Sequence, residues 1–181
     1  MLIGLYSNQS GAGKDTVGMH LADRWNFEIF SFCSELRRCV APSFPDAPEN
    51  YFTSEGFILP DKEWEMSSGF QDQLIARSKE FRPRVLAKSS EYIEKAIAAG
   101  RDMVVVDVRR DAEFDVIRSN GGVMVRVHRK SEKCSRPKAK LDGLLDNEIF
   151  DWEIHNNAGV EELIDMSNIM LGELISTGFA A

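Results

Sequence analysis

The chain is poor in cysteine and histidine, with three of each among 181 residues. Cys33, Cys39 and Cys134 have neither an even count nor metal-ligand spacing, which argues against a disulfide framework and for reduced thiols in a cytoplasmic protein. His20, His128 and His155 are scattered along the sequence without ligand spacing, so they read as structural or surface residues. No run approaches the roughly 20 apolar residues of a membrane span. The first residues also lack the basic region and long apolar stretch of a signal peptide. Repeats, low-complexity tracts and linkers are missing, so a single domain over 1–181 is expected. A net charge of −7 excludes general binding to a nucleic-acid polymer. Neither a Ser-His-Asp arrangement nor a paired-cysteine zinc pattern offers a rival chemistry to the one that follows.

What is present begins at once. The apolar run Leu2-Ile3-Gly4-Leu5-Tyr6 breaks into Ser7-Asn8-Gln9-Ser10-Gly11-Ala12-Gly13-Lys14-Asp15-Thr16 and then into a helical pattern ending near Trp25. A strand that opens through small residues into a helix aims backbone N–H groups at an anion, and the helix N-terminus adds partial positive charge. Lys14 supplies a full charge able to follow the β- and γ-phosphates of a nucleoside triphosphate, with Gly11, Ala12, Gly13, Asp15 and Thr16 completing the cradle. The motif G-x-x-x-x-G-K-[ST] is met with two departures, Asn8 and Asp15. A hydroxyl usually contacts Mg²⁺ from the position of Asp15. Either Asp15 reaches the ion through water, or Thr16 and a second carboxylate do more of the positioning.

Apolar runs alternate with helical patterns, which predicts an α/β domain with a five-stranded, mainly parallel sheet between helical layers. The expected strands are 2–6, 27–32, 103–107, 123–128 and 152–155. The expected helices are 14–25, 35–40, 70–79, 84–99, 112–119 and 160–174. The stretch from Ala41 to Pro60 holds four of the six prolines and several aromatic residues, and reads as an irregular loop folded over something. Between Arg129 and Lys140 stand six basic residues against one acid. A basic excursion on an acidic chain suits a small anionic ligand and reads as a lid over about 129–141.

Val104-Val105-Val106-Asp107-Val108-Arg109-Arg110-Asp111-Ala112-Glu113 is the second informative stretch. Ligands of open parallel sheets bind beyond the carboxyl ends of strands. Asp107 emerging there could hold Mg²⁺ through water or bind substrate, while Arg109 and Arg110 could grip phosphate oxygens through forked hydrogen bonds. Asp107 and Asp111 could equally cap the helix that follows. Arg84, after Pro83, is expected at a helix start where phosphate would gather.

Together these residues resemble the deoxynucleoside monophosphate kinases encoded by tailed phages. Ser10 to Thr16 is similar to the family's Ser-Gly-x-Gly-Lys-Asp-Thr, in which the Asp15 position is usual. Asp107, Arg109 and Glu113 are similar to its Asp-x-Arg-x-x-x-Glu signature, followed by a helix, a Gly pair and a strand ending in basic Arg129. The resemblance implies a three-layer α/β/α P-loop kinase fold that uses ATP and Mg²⁺ to phosphorylate a deoxynucleoside 5′-monophosphate. It implies Lys14 on the transferred phosphate, Arg84, Arg109 and Glu113 at the monophosphate, and Arg129, Asn156 and Asn157 on the ATP side, with Arg110 a further substrate-binding candidate beside Arg109. Asp15, Thr16 and Asp107 are the metal candidates, and a region over about 33–82 covers the substrate. A small-molecule substrate with no membrane partner is expected, in the host cytoplasm if the chain is phage-encoded, and a homodimer stays open. The alternatives are a P-loop kinase for another small acceptor, such as dephospho-coenzyme A, and a non-catalytic ATP-binding regulatory protein.

Overall fold

The computed structural model describes residues 1–9, 11–53, 56–129 and 145–178. Most of the expected lid, 130–141, lies outside the described residues. Five strands form one sheet: β1 (Leu2–Tyr6), β2 (Glu28–Phe30), β3 (Met103–Val105), β4 (Val123–Arg129) and β5 (Trp152–Asn156). Their order is β2-β3-β1-β4-β5, and every pairing is parallel. Every residue of β1 and β3 is buried, as a parallel strand covered on both faces requires.

Helices α1 (Lys14–Trp25) and α6 (Val160–Ser176) cover one face, packing Val17, Leu21, Leu163, Met170 and Leu174 against Ile3, Leu5, Val104 and Val125. Gly18 lets α1 sit directly on β3, because a Cβ there would overlap the Val106 side chain. The other face carries α2 (Phe32–Val40), α4 (Phe70–Ala98) and α5 (Asp111–Ser119), whose Phe32, Val85, Ile93, Phe114 and Ile117 meet Leu2, Tyr6, Met103 and Met124. The layers are those expected, α/β/α. Among the described residues no helix is long and apolar enough to cross a membrane.

Several boundaries differ from the expected ones for physical reasons. Strand β2 stops at Phe30 because Ser31 caps α2, accepting from the Ser34 N–H, so that helix starts three residues before Glu35. The expected helices 70–79 and 84–99 are one helix of 29 residues that runs through Pro83. Proline removes one intrahelical hydrogen bond and tends to break a helix. Here both halves are pinned by packing, Phe70 and Leu74 in one cluster and Val85, Ile93 and Ala96 in another, with Phe81 touching both. Arg84 is therefore mid-helix, and the expectation of a helix start there is corrected.

The proline-rich stretch folds over a small core of its own. Two 3₁₀ turns, Ala41–Ser43 and Glu49–Phe52, and an unexpected helix α3 (Lys62–Ser67) enclose Val40, Tyr51, Ile58 and Phe70. The Tyr51, Trp64, Phe44 and Phe70 rings meet edge-on or tilted. Within this core buried Glu65 accepts from Arg37 Nε at 2.6 Å and from the Tyr51 hydroxyl at 2.7 Å. Burial first, and then the hydrogen bond to Glu65, pushes the Tyr51 hydroxyl up to about 12.

Candidate active site

The loop after β1 is held from behind by the ends of β4 and β5. Arg129 donates to the Gly11 carbonyl at 2.7 Å, and Asn156 Nδ2 donates to the Ala12 carbonyl at 2.9 Å. Gln9 Nε2 donates to the Arg129 carbonyl, which closes the arrangement. Planar trans peptides point C=O and N–H in opposite directions. Since those two carbonyls face the strand ends, the N–H groups of Ala12 and Gly13 face the other way, into the concavity before α1. Gly11 and Gly13 have φ of 77° and 109°, a region that other residues enter with strain. Gly13 provides no side-chain cap to α1, and a helix N-terminus of that kind suits an anion.

Gly13 is constrained by space as well as by φ. A Cβ there would lie 2.5 Å from Leu163 Cδ2 and 3.2 Å from Asn156 Nδ2, whereas one at Gly11 would meet nothing within 4 Å. Gly13→Ala is expected to destabilise the chain by about 2 kcal/mol and Gly11→Ala by about 1 kcal/mol. Urea unfolding measures both. A Gly13→Ala chain as stable as Gly11→Ala would show that Leu163 does not set the loop's shape.

On the other side of β1 stands β3, paired with it so that Leu2 meets Met103. Asp107 leaves this strand's end buried and accepts three hydrogen bonds, from Ser31 Oγ at 2.7 Å, Phe32 N at 2.9 Å and Cys33 N at 2.8 Å. A carboxylate at a helix N-terminus satisfies orphan amides and the positive end of the dipole. Asp107 thus caps a helix, but it is α2 and not the α5 that follows. The chain after β3 is tied to the start of α2 in this way.

A cluster of cations surrounds the junction. Burial, aided by Asp107, pushes the Cys33 thiol above its ordinary range, with Arg109 and Arg37 opposing. Arg110 is half-buried, and its guanidinium is held below the usual arginine range by burial and then by the neighbouring charge of Arg82. The charges of Arg37 and Arg109 thus act on Cys33, and those of Arg82 and Arg109 on Arg110, which gathers four cations near the junction of α2, α4 and the β3–α5 turn. Arg84 is exposed, and its charge acts on Cys39 in the last turn of α2. Two residues apart on a helix is about 200° of rotation, so Arg82 and Arg84 look in different directions. Sequence inspection missed Arg37 and Arg82, because only the meeting of distant helices gives them a common target.

Glu113, in the first turn of α5, folds back to accept from the Arg109 N–H at 2.8 Å and lies 4.0 Å from Arg110 Nε. Burial, seconded by the Asp107 charge, pushes its carboxyl from 4.5 up to about 7. The folded protein then holds this proton more tightly than the unfolded chain. Its contribution to stability is fully present below about pH 4.5 and is lost as pH rises through about 7. Glu113→Gln keeps an acceptor for the Arg109 N–H without the charge. The variant is expected to gain about 2 kcal/mol over the parent at pH 8 and nothing at pH 4.5. A pH-independent difference in urea unfolding would show that folding does not raise the Glu113 carboxyl.

The remaining candidates fall on the loop side. Lys14 and Thr16 are half-buried in the first turn of α1. Asp15 is exposed and lines a groove of about 410 Å³ with Met19, Phe57, Leu59 and the start of α3. Asn157 is exposed, and its N–H and that of Ala158 donate to Glu162. Asn156 is buried and spends its amide on the loop, so its contact is with the cradle itself.

No family model matches the chain, and no curated protein does. Solved structures share its fold. It is similar to dephospho-CoA kinase from Campylobacter jejuni at 15% identity and a TM-score of 0.58, over 98% of each chain. It is similar to shikimate kinase from Aquifex aeolicus at 19% identity and a TM-score of 0.52, over 98% of this chain and 99% of that one. An unliganded sugar kinase from a Janibacter species matches at 17% identity and a TM-score of 0.51, over 94% of each. At such identities the likeness is one of fold, the α/β fold of P-loop kinases.

Proposed function

We propose that the chain is an ATP-dependent phosphotransferase whose acceptor is a deoxynucleoside 5′-monophosphate. The observation that supports this reading is that the glycine loop after β1 and the arginines grouped after β3 follow two adjacent parallel strands. Neighbouring strands of a sheet lie about 4.8 Å apart, so the two loops emerge together at the same edge.

The amides of Ala12 and Gly13 and the first turn of α1 hold the ATP phosphates, and Lys14 follows the charge that moves with the transferred group. Arg82, Arg109 and Arg110 hold the acceptor's phosphate, with Arg37 behind them locked to Glu65. Phosphate oxygens are already ionised at neutral pH, so alignment and charge neutralisation suffice without a strong base. Asp107 has both oxygens engaged by α2, which suits such an acceptor. Glu113 would be partly protonated near neutral pH and then leaves the arginines' charge to the phosphate. Asp15 and Thr16 stand in the first turn of α1, exposed and half-buried, where oxygen donors to Mg²⁺ fit; Asp107, held by three donors, could reach it only through water. Mg²⁺ there would neutralise and orient the β- and γ-phosphates. The region 33–82 contributes Arg37 and Arg82 and is proposed to cover the acceptor.

Full-length similarity to a dephospho-CoA kinase keeps a hydroxyl acceptor as the second reading. A coupled ADP-release assay over deoxynucleoside monophosphates, dephospho-coenzyme A and shikimate separates them. Turnover with at least one deoxynucleoside monophosphate is expected. Turnover only with dephospho-coenzyme A or shikimate would replace the acceptor, and ADP release with none would leave a nucleotide-binding protein without this activity.

A further inference from the structure

The two histidines of the sheet edge, unconnected in sequence, come together. His128 on β4 and His155 on β5 are register partners, and their rings stack with centroids 4.7 Å apart and planes 8° from parallel. Glu153, two residues before His155, shares their face of the sheet, because side chains alternate along a strand. Its Oε2 lies 3.4 Å from His128 Nε2 and 3.8 Å from His155 Nε2. The three residues place one ligand atom each within 4.8 Å of one another. His128 Nε2 is buried and makes no hydrogen bond among the described residues.

The geometry points to a transition-metal site, His128–Glu153–His155, of the zinc class. Two ligands about 2.1 Å from a tetrahedral ion stand about 3.4 Å apart; Glu153 Oε2 meets that spacing with His128 at 3.4 Å and approaches it with His155 at 3.8 Å, and the parallel rings turn out of their stack for both lone pairs to converge on one ion. Two neutral imidazoles with one carboxylate are a donor set for Zn²⁺, with the fourth position left to water, whereas Mg²⁺ prefers oxygen donors. Glu153 and His155 are about half exposed, at 47% and 55%, so an ion can enter from solvent. Arg126 shares the face, 3.7 Å from Glu153 Oε1, but its NH2 is directed at the carbonyls of Leu145 and Asp146 and its guanidinium lies over the Phe150 ring. Oε2 is the oxygen turned to the histidines.

The site has a mechanical consequence. The next register pair is Arg129 and Asn156, the two side chains that hold the Gly11 and Ala12 carbonyls. An ion bridging His128 and His155 clamps β4 to β5 one residue below the supports of the phosphate loop. Zn²⁺ therefore stiffens the loop without touching it.

Tag-free, full-length protein titrated with Zn²⁺ against a chromophoric chelator tests this, in the absence of nucleotide. One ion per chain is expected with a Kd below about 10 µM, weakened at least 30-fold in His155→Ala and in Glu153→Gln, both changes at exposed side chains. His155→Cys should restore binding, since thiolate also ligates zinc. Equal Zn²⁺ uptake by the parent and both variants would place the metal elsewhere and overturn the site, as would no uptake. Hydrogen exchange at the Ala12 and Gly13 amides should slow with Zn²⁺ in the parent and not in His155→Ala; unchanged exchange in zinc-loaded parent would overturn the coupling. Neither readout involves phosphoryl transfer, so both stand apart from the kinase reading.

Discussion

Lys14→Ala is expected to lower kcat by at least about 100-fold, equivalent to about 2.7 kcal/mol of transition-state stabilisation, with the fold intact. The side chain stands half-buried in the first turn of α1, where phosphate oxygens held by the loop amides would come within its reach. Its charge would act on the transferred group and not on a packed core, so circular dichroism should match the parent while steady-state kinetics show the loss in kcat. A kcat within about threefold of the parent would remove Lys14 from the chemistry.

Arg82→Ala and Arg109→Ala are expected to cut kcat/KM for the acceptor by at least about 30-fold while ATP affinity changes less than about threefold. Charge-assisted hydrogen bonds to phosphate contribute on the order of 2 kcal/mol each, and in the proposed complex these arginines hold the acceptor and not ATP. Arg84→Ala supplies the control, because it lies on the same helix and carries the same charge change. It should stay within about threefold of the parent in both parameters. If Arg84→Ala proved the more damaging of the two helix substitutions, the face of α4 turned to the substrate would be wrong. Equal loss of ATP and acceptor binding in Arg109→Ala would place that residue between the sites.

The loop, its lysine and the parallel α/β arrangement were legible in the sequence because each rests on local chemistry. Small residues between an apolar run and a helical pattern, Gly at positive φ and uninterrupted Val-Val-Val are consequences of backbone sterics and two-sided burial, and they act within about ten residues. Asp107, Arg109 and Glu113 were found for the same reason, at a strand end followed by a helix start. Their tasks were not legible. Asp107 caps a helix some 75 residues upstream in the chain, a pairing that exists only once β3 lies between β2 and β1. Pro83 looked like a break, and the local preference lost to Phe81 and the clusters on either side of it. That one continuation leaves Arg84 exposed with its charge near Cys39, and sets the charge of Arg82 beside Arg110. Asn156 became a support of the phosphate loop, and His128 met His155, through the β4–β5 register alone. Local sequence thus determined the glycine loop and the lysine that opens α1; the strand order and the packing of α2 and α4 decided which charges gather beside them, because those charges are brought together only by contacts between residues far apart in the chain.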